Sequence, residues 1–228
     1  GKIFKLDEHN RDKLIASGAG AAIGATFNAP IAGTLFVLEE LIHRFTPSML
    51  FPTLVATVVS ASVARHFLGA NPAFNTELGH ITMEGSILPV CVVLGVLAGV
   101  LGVLFSKTIF FFNGVYSKIR VPNYLKPALA GFLTGLAGLF LPYILSSGNG
   151  SVEMLFKGEL PIVLVCTIFC VKFIITPLCF GSGAAGGIFL PMLMLGSFLG
   201  YITGFGANLL GAEVNLVAIS SLGMAGFL

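Results

Sequence analysis

The sequence predicts an all-α polytopic membrane protein that contains broken and part-length helices. Of its 228 residues, 56% are hydrophobic and 10% are charged, and the mean hydropathy is +0.98. Soluble domains carry about 25% charged residues, so this composition indicates an integral membrane protein. Two apolar stretches are interrupted, one by Asn28-Ala29-Pro30 and the other by the glycine-rich segment from Gly181 to Gly187. Broken helices leave backbone groups unsatisfied in lipid, and they therefore occur where they line a site.

The first part of the chain predicts two part-length helices and then a span. After the polar segment Gly1–Lys13, the apolar run Leu14–Phe27 ends at the proline break, and Ile31–Leu41 resumes beyond it. Each run is shorter than the ~20 residues that a full span needs. Pro52–Phe67 is a span or most of one.

The distribution of Lys and Arg predicts an orientation in the membrane. Gly69–Gly85 has no Lys or Arg and is expected to be an external loop. Arg44 and the basic linker Tyr116–Lys126 are expected to be cytoplasmic. Two apolar segments, Pro52–Phe67 and Ile87–Phe112, connect these loops with the required parity.

Further helices are expected in the rest of the chain. We predict a span over Pro127–Leu145, a loop over Ser146–Leu160, helices over Pro161–Phe180 and Phe189–Leu210, and the start of one more over Val214–Leu228. Lys172 is a functional candidate because it is an intramembrane cation. It could snorkel, pair with a carboxylate or contact an anion directly. Gly196, Gly200 and Gly204 recur every four residues, which indicates close helix packing.

The segment Gly186–Pro191 is expected to bind a small anion. Gly186 and Gly187 let a ligand approach the backbone with no side chain in the way, and Pro191 suits the first turn of the helix that follows. The first N–H groups of a helix have no carbonyl partner within it, and its partial positive charge attracts anions. No Lys-Ser/Thr pair follows the glycines, as it does in a phosphate loop. The alternative interpretation is tight helix packing.

Two adjacent carboxylates, Glu39 and Glu40, stand at the end of an apolar part-length helix. Adjacent helical residues point about 100° apart, so one carboxylate could face the interior and the other water. Carboxylates beside a membrane segment commonly mark proton or ion routes. The alternative is a pair of solvated charges at a helix end.

Two motifs resemble one transporter family. Gly187-Ile188-Phe189-Leu190-Pro191 is similar to the G-x-F-x-P signature of the ClC family of chloride channels and chloride/proton exchangers. The run Phe27-Asn28-Ala29-Pro30-Ile31-Ala32-Gly33, followed by Glu39-Glu40, resembles a second stretch of that family at about the expected separation. The resemblance covers Lys13 to Leu228.

The resemblance implies roles for individual residues. The backbone N–H groups of Ile188 and Phe189, within the expected site Gly186–Pro191, would help to coordinate a central chloride. Glu40 would be the internal proton-transfer residue of the exchangers, because channels of the family usually have an apolar residue there. Glu39 would give electrostatic support.

The resemblance also implies an inverted-repeat ClC-type architecture, a common transporter design. Residues 1–68 would end the first repeat, 69–85 would form the external loop, and 86–228 would form most of the second repeat. The family's motifs that carry its serine, its external gating glutamate and its late tyrosine are not found in residues 1–228. We therefore expect a piece of a longer protein, truncated at both ends.

The expected function is chloride/proton antiport, and the alternative is a passive voltage- or pH-gated chloride channel of the same family. Chloride is the expected transported ion, and no cofactor or metal is expected. The net charge of +2 is too small to indicate a nucleic-acid partner. The resemblance implies a homodimer in the lipid bilayer, which in a bacterium would be the cell (inner) membrane. An intramembrane protease is disfavoured because Asp occurs only at Asp7 and Asp12 and no H-E-x-x-H is present. The broken helices disfavour a purely structural component.

Overall fold

The computed structural model describes residues 7–43, 45–69, 87–184 and 186–228, with no β-strand among them. The chain forms two compact units, Gly1–Asn75 and Thr76–Leu228. The expected cytoplasmic Arg44 lies outside the described residues, and so does all of the expected external loop except Gly69. The repeat boundaries inferred from the sequence remain predictions.

Nine α-helices lie in the described part of the chain. They are α1 (Glu8–Phe27), α2 (Pro30–Phe36), α3 (Pro47–Leu68), α4 (Ile87–Lys118), α5 (Lys126–Phe140), α6 (Asn149–Phe156), α7 (Ile162–Gly181), α8 (Phe189–Leu209) and α9 (Leu216–Gly226). A π-helical turn, Val37–Ile42, continues α2, and a 3₁₀ turn, Pro142–Ile144, follows α5. Of the described helices, α3, α4, α7 and α8 are long and apolar enough to cross a membrane. The predicted all-α, multi-pass fold is confirmed.

Two predictions between α4 and α7 are wrong. The span expected over Pro127–Leu145 is the 15-residue helix α5, which is too short to cross a membrane. Pro142 ends α5, because the residue before a proline is pushed out of the helical region, and Leu141 has φ −137° and ψ 77°. The expected loop Ser146–Leu160 contains α6, whose Val152 and Leu155 are buried.

The first break in the chain falls where the sequence places it. Asn28 ends α1 in the left-handed region with φ 54°, a conformation that asparagine adopts more readily than most residues. The side chain of Arg65, near the end of α3, donates to both the side-chain and the backbone oxygen of Asn28. However, α1 is longer than the part-length helix expected over Leu14–Phe27. It has 20 residues, because polar turns from Glu8 onward extend it.

Glycines set the closest helix contacts in each unit. In the first unit, a Cβ added at Gly20 of α1 would lie 2.8 Å from Thr53 Cγ2 of α3. In the second unit, a Cβ at Gly196 of α8 would lie 2.3 Å from the carbonyl oxygen of Gly223 in α9, and one at Gly200 would lie 2.4 Å from that of Ile219. The helix α8 is therefore held against α9 along a seam that accepts no side chain.

Candidate functional site

The connection between α7 and α8 is a glycine-rich turn with its own internal bonds. The hydroxyl of Ser182 donates to the Cys179 carbonyl over 2.6 Å and accepts from the N–H of Ala184 over 3.3 Å. Gly183 has φ +80°, a conformation that favours glycine. A Cβ on Gly181 would lie 2.9 Å from Phe112 Cβ, so the end of α7 is seated directly on α4.

The turn leads directly into the first residues of α8. Ile188 precedes the first residue of α8, and no side chain caps that end. Pro191 is the third residue of α8 and so lies in its first turn, as the sequence predicts. The N–H of Met192 makes the first helical bond, to the carbonyl of Ile188 over 2.9 Å. Cβ atoms added at Gly186 or Gly187 would meet no described heavy atom within 4 Å.

A cavity of about 170 Å³ borders this helix start. Its lining includes Thr134, Ile144, Ser146, Lys172, Thr176, Gly186, Gly187, Ile188 and Pro191. Four members of the predicted anion-binding segment therefore face one concave space, and Phe189 follows them as the first residue of α8. No Asp or Glu is among the described residues that line the cavity.

Lys172 lies in the wall of this cavity, with 4% of its surface exposed. Its Nζ donates to the carbonyl oxygens of Ile144 and Ser146, each over 2.7 Å. The sequence left open that Lys172 snorkels or pairs with a carboxylate. Among the described residues, Lys172 does neither, because its bonds go to backbone carbonyls. The carbonyl partners lie 28 and 26 residues away in the chain. Sequence reasoning missed them because no local pattern marks a backbone carbonyl as a partner.

The paired carboxylates lie in the first unit, on the π-helical turn. Val37 and Leu38 are fully buried there, whereas Glu39 and Glu40 are both exposed. The expected difference between the two carboxylates, one inside and one in water, is therefore not seen in the described residues. The sequence did not predict the π-helical turn, although such turns are frequent at functional sites.

The chain matches known proteins along its whole length. The sequence model described as Voltage gated chloride channel matches residues 1–228. The chain is 32% identical over 231 residues to the H(+)/Cl(-) exchange transporter ClcA of Vibrio campbellii, covering 97% of this chain and 49% of that protein. It is 34% identical over 235 residues to the protein of the same name from Yersinia pestis, covering 97% of this chain and 48% of that protein.

Two solved structures share the fold. One is described as a slow cyanobacterial Cl-/H+ antiporter, with a TM-score of 0.84 and 28% identity, covering 100% of this chain and 54% of that chain. The other is described as a CLC-type fluoride/proton antiporter, with a TM-score of 0.77 and 23% identity, covering 94% of this chain and 53% of that chain. The chain spans about half the length of the curated relatives that it matches.

Proposed function

The chain belongs to the Voltage gated chloride channel family, and we propose that the whole protein exchanges chloride for protons across a membrane. The family resemblance drawn from the two sequence motifs is confirmed. The relatives from Vibrio campbellii and Yersinia pestis are named as H(+)/Cl(-) exchange transporters, which favours exchange over a passive channel.

The observation that carries the proposal is the start of α8, which no side chain caps. An uncapped helix N-terminus presents N–H groups and a partial positive charge, and here it borders a cavity whose described lining has no carboxylate. We assign chloride coordination to the backbone N–H groups of Ile188 and Phe189, with Gly186 and Gly187 leaving space for the ion. Backbone dipoles suit a transported anion, since binding must be strong enough to fill a site and weak enough to empty it.

Protons require a second group, for which we propose Glu40, with Glu39 in electrostatic support. Glu40 is exposed at the end of an apolar helix, as a residue that takes protons from or gives them to an aqueous phase would be. The ClC resemblance is what distinguishes Glu40 from Glu39, because that motif position carries the proton in exchangers. A homodimer to which residues 31–67 contribute part of the interface also belongs to this proposal.

Transport of both ions in liposomes tests the proposal. The whole protein is reconstituted, a chloride gradient is imposed, and proton movement is recorded with a pH-sensitive dye. We expect protons to move against their own gradient, driven by chloride. Chloride flux without proton movement would make the protein a passive channel, and the absence of any anion flux would contradict the proposed transport altogether.

A further inference from the structure

The cavity beside α8 contains two polar side chains that the proposed transport mechanism does not use. Lys172 and Thr176 are four residues apart on α7, so they lie on one face of that helix. Their exposed fractions are 4% and 8%, and both line the cavity. A buried ammonium and a buried hydroxyl on one concave wall need partners, because buried polar groups are normally hydrogen-bonded.

Thr176 has no hydrogen-bond partner among the described residues, which is unusual in this protein. Other helical threonines donate to the carbonyl four residues earlier, namely Thr26, Thr34, Thr108, Thr134, Thr167 and Thr203. Thr53 is also buried without a partner, but none of its surface is exposed. Thr176 differs from Thr53 because it borders open space.

Lys172 keeps donor capacity for a ligand in the cavity. An ammonium group has three N–H donors, and two of them go to the carbonyls of Ile144 and Ser146. Those two bonds satisfy the carbonyls but do not neutralise the charge of the ammonium. A charged ammonium buried in this wall is stabilised by a nearby negative charge, and no carboxylate is among the described lining residues. An anion bound in the cavity would supply that charge.

We propose that chloride has a second binding position in this cavity, between the Lys172 ammonium and the Thr176 hydroxyl. This inference rests on the proposed function, and it adds side-chain ligands to the backbone position at the start of α8. The cavity is large enough to hold more than one water molecule, so a partly hydrated anion fits there. Gly187 and Ile188 also line it, which places the second position beside the first.

Bromide provides a direct probe, because it replaces chloride and scatters anomalously. Crystals of the whole protein are grown in bromide, and the anomalous difference map is calculated. We expect a peak in the cavity, within hydrogen-bonding distance of both Lys172 Nζ and Thr176 Oγ1. An occupied backbone position with an empty cavity would overturn this inference and leave the proposed transport intact.

A pair of matched substitutions tests the same point in solution. T176V removes the hydroxyl but keeps the side-chain shape and both Lys172 bonds. The control T167V removes an exposed hydroxyl of the same helix whose partner is the Val163 carbonyl. By calorimetric titration of the purified whole protein, we expect T176V to weaken chloride binding at the second position about tenfold, as the loss of a hydrogen bond to a charged ligand predicts, and T167V to leave both positions unchanged.

The outcomes of the titration separate the two proposals. Equal chloride affinity in wild type and T176V would overturn the second position alone, since the backbone position would still account for binding. The absence of chloride binding in the wild type would overturn both proposals. The bromide experiment needs no variant, so it decides the matter if T176V does not fold.

Discussion

The seam between α8 and α9 allows a stability prediction worked from interatomic distances. A Cβ at Gly196 would lie 2.3 Å from the Gly223 carbonyl oxygen and 2.9 Å from its carbonyl carbon. Carbon and oxygen pack at about 3.3–3.6 Å, so the helices would have to separate by about 1 Å. Overpacking of this kind typically destabilises by 1–3 kcal/mol, and we place G196A at about 3 kcal/mol because both obstructing atoms are backbone.

Gly99 on α4 provides the matched control. A Cβ there would meet no described heavy atom within 4 Å, so G99A adds the same methyl group without a collision. Alanine is also the better helix former by about 1 kcal/mol, so G99A is expected to be neutral or mildly stabilising. The reciprocal substitution G223A should resemble G196A, since its Cβ would lie 2.2 Å from the Gly196 carbonyl oxygen.

Unfolding of the whole protein in detergent, followed by circular dichroism, measures these effects. The expected order of midpoints is G99A equal to or above wild type, with G196A and G223A well below it. If G196A has the same unfolding midpoint as wild type, or if G99A loses as much stability as G196A, the α8–α9 seam does not hold α8 in place as described.

Three further predictions concern the proton residue, the buried lysine and the chain break. E40Q should abolish proton movement in liposomes while chloride flux persists, whereas E39Q should keep both; loss of protons in E39Q alone would exchange the two assignments. K172M should lower the free energy of unfolding by about 1–3 kcal/mol, because the buried Ile144 carbonyl loses its donor, and an unchanged melting temperature would contradict that role. At Asn28, whose φ is 54°, N28V and N28G both lose the side-chain bond from Arg65, so N28V should be less stable than N28G by about 1–2 kcal/mol because of its conformation alone; equal melting temperatures of the two variants would show that the break does not depend on this conformation.

The sequence predicted the two chain breaks and the start of α8 because their signals are local. Pro30 forbids a continuous helix, and the glycines before Phe189 mark a turn that leads into an apolar helix. Those signals concern backbone conformation, which a few adjacent residues decide. The end of α1 at Asn28 and the place of Pro191 in the first turn of α8 were therefore predicted to within a residue.

What the sequence did not predict depends on contacts between distant residues. The carbonyl partners of Lys172 come from the segment after α5, and hydropathy says nothing of where that segment lies. The serines and glycines before Ser151 suggest a loop, yet the burial of Val152 and Leu155 shows that tertiary packing supports the short helix α6. Glu39 and Glu40 are both exposed on the π-helical turn, and that turn has no sequence signature here.

The reversal potential measures directly whether chloride movement is coupled to proton movement. The whole protein is placed in a planar bilayer with equal chloride on both sides and a pH gradient as the only driving force. Coupled exchange predicts that the potential of zero current moves away from zero, and that E40Q returns it to zero. A wild-type reversal potential that stays at zero across every pH gradient would show that chloride moves without protons.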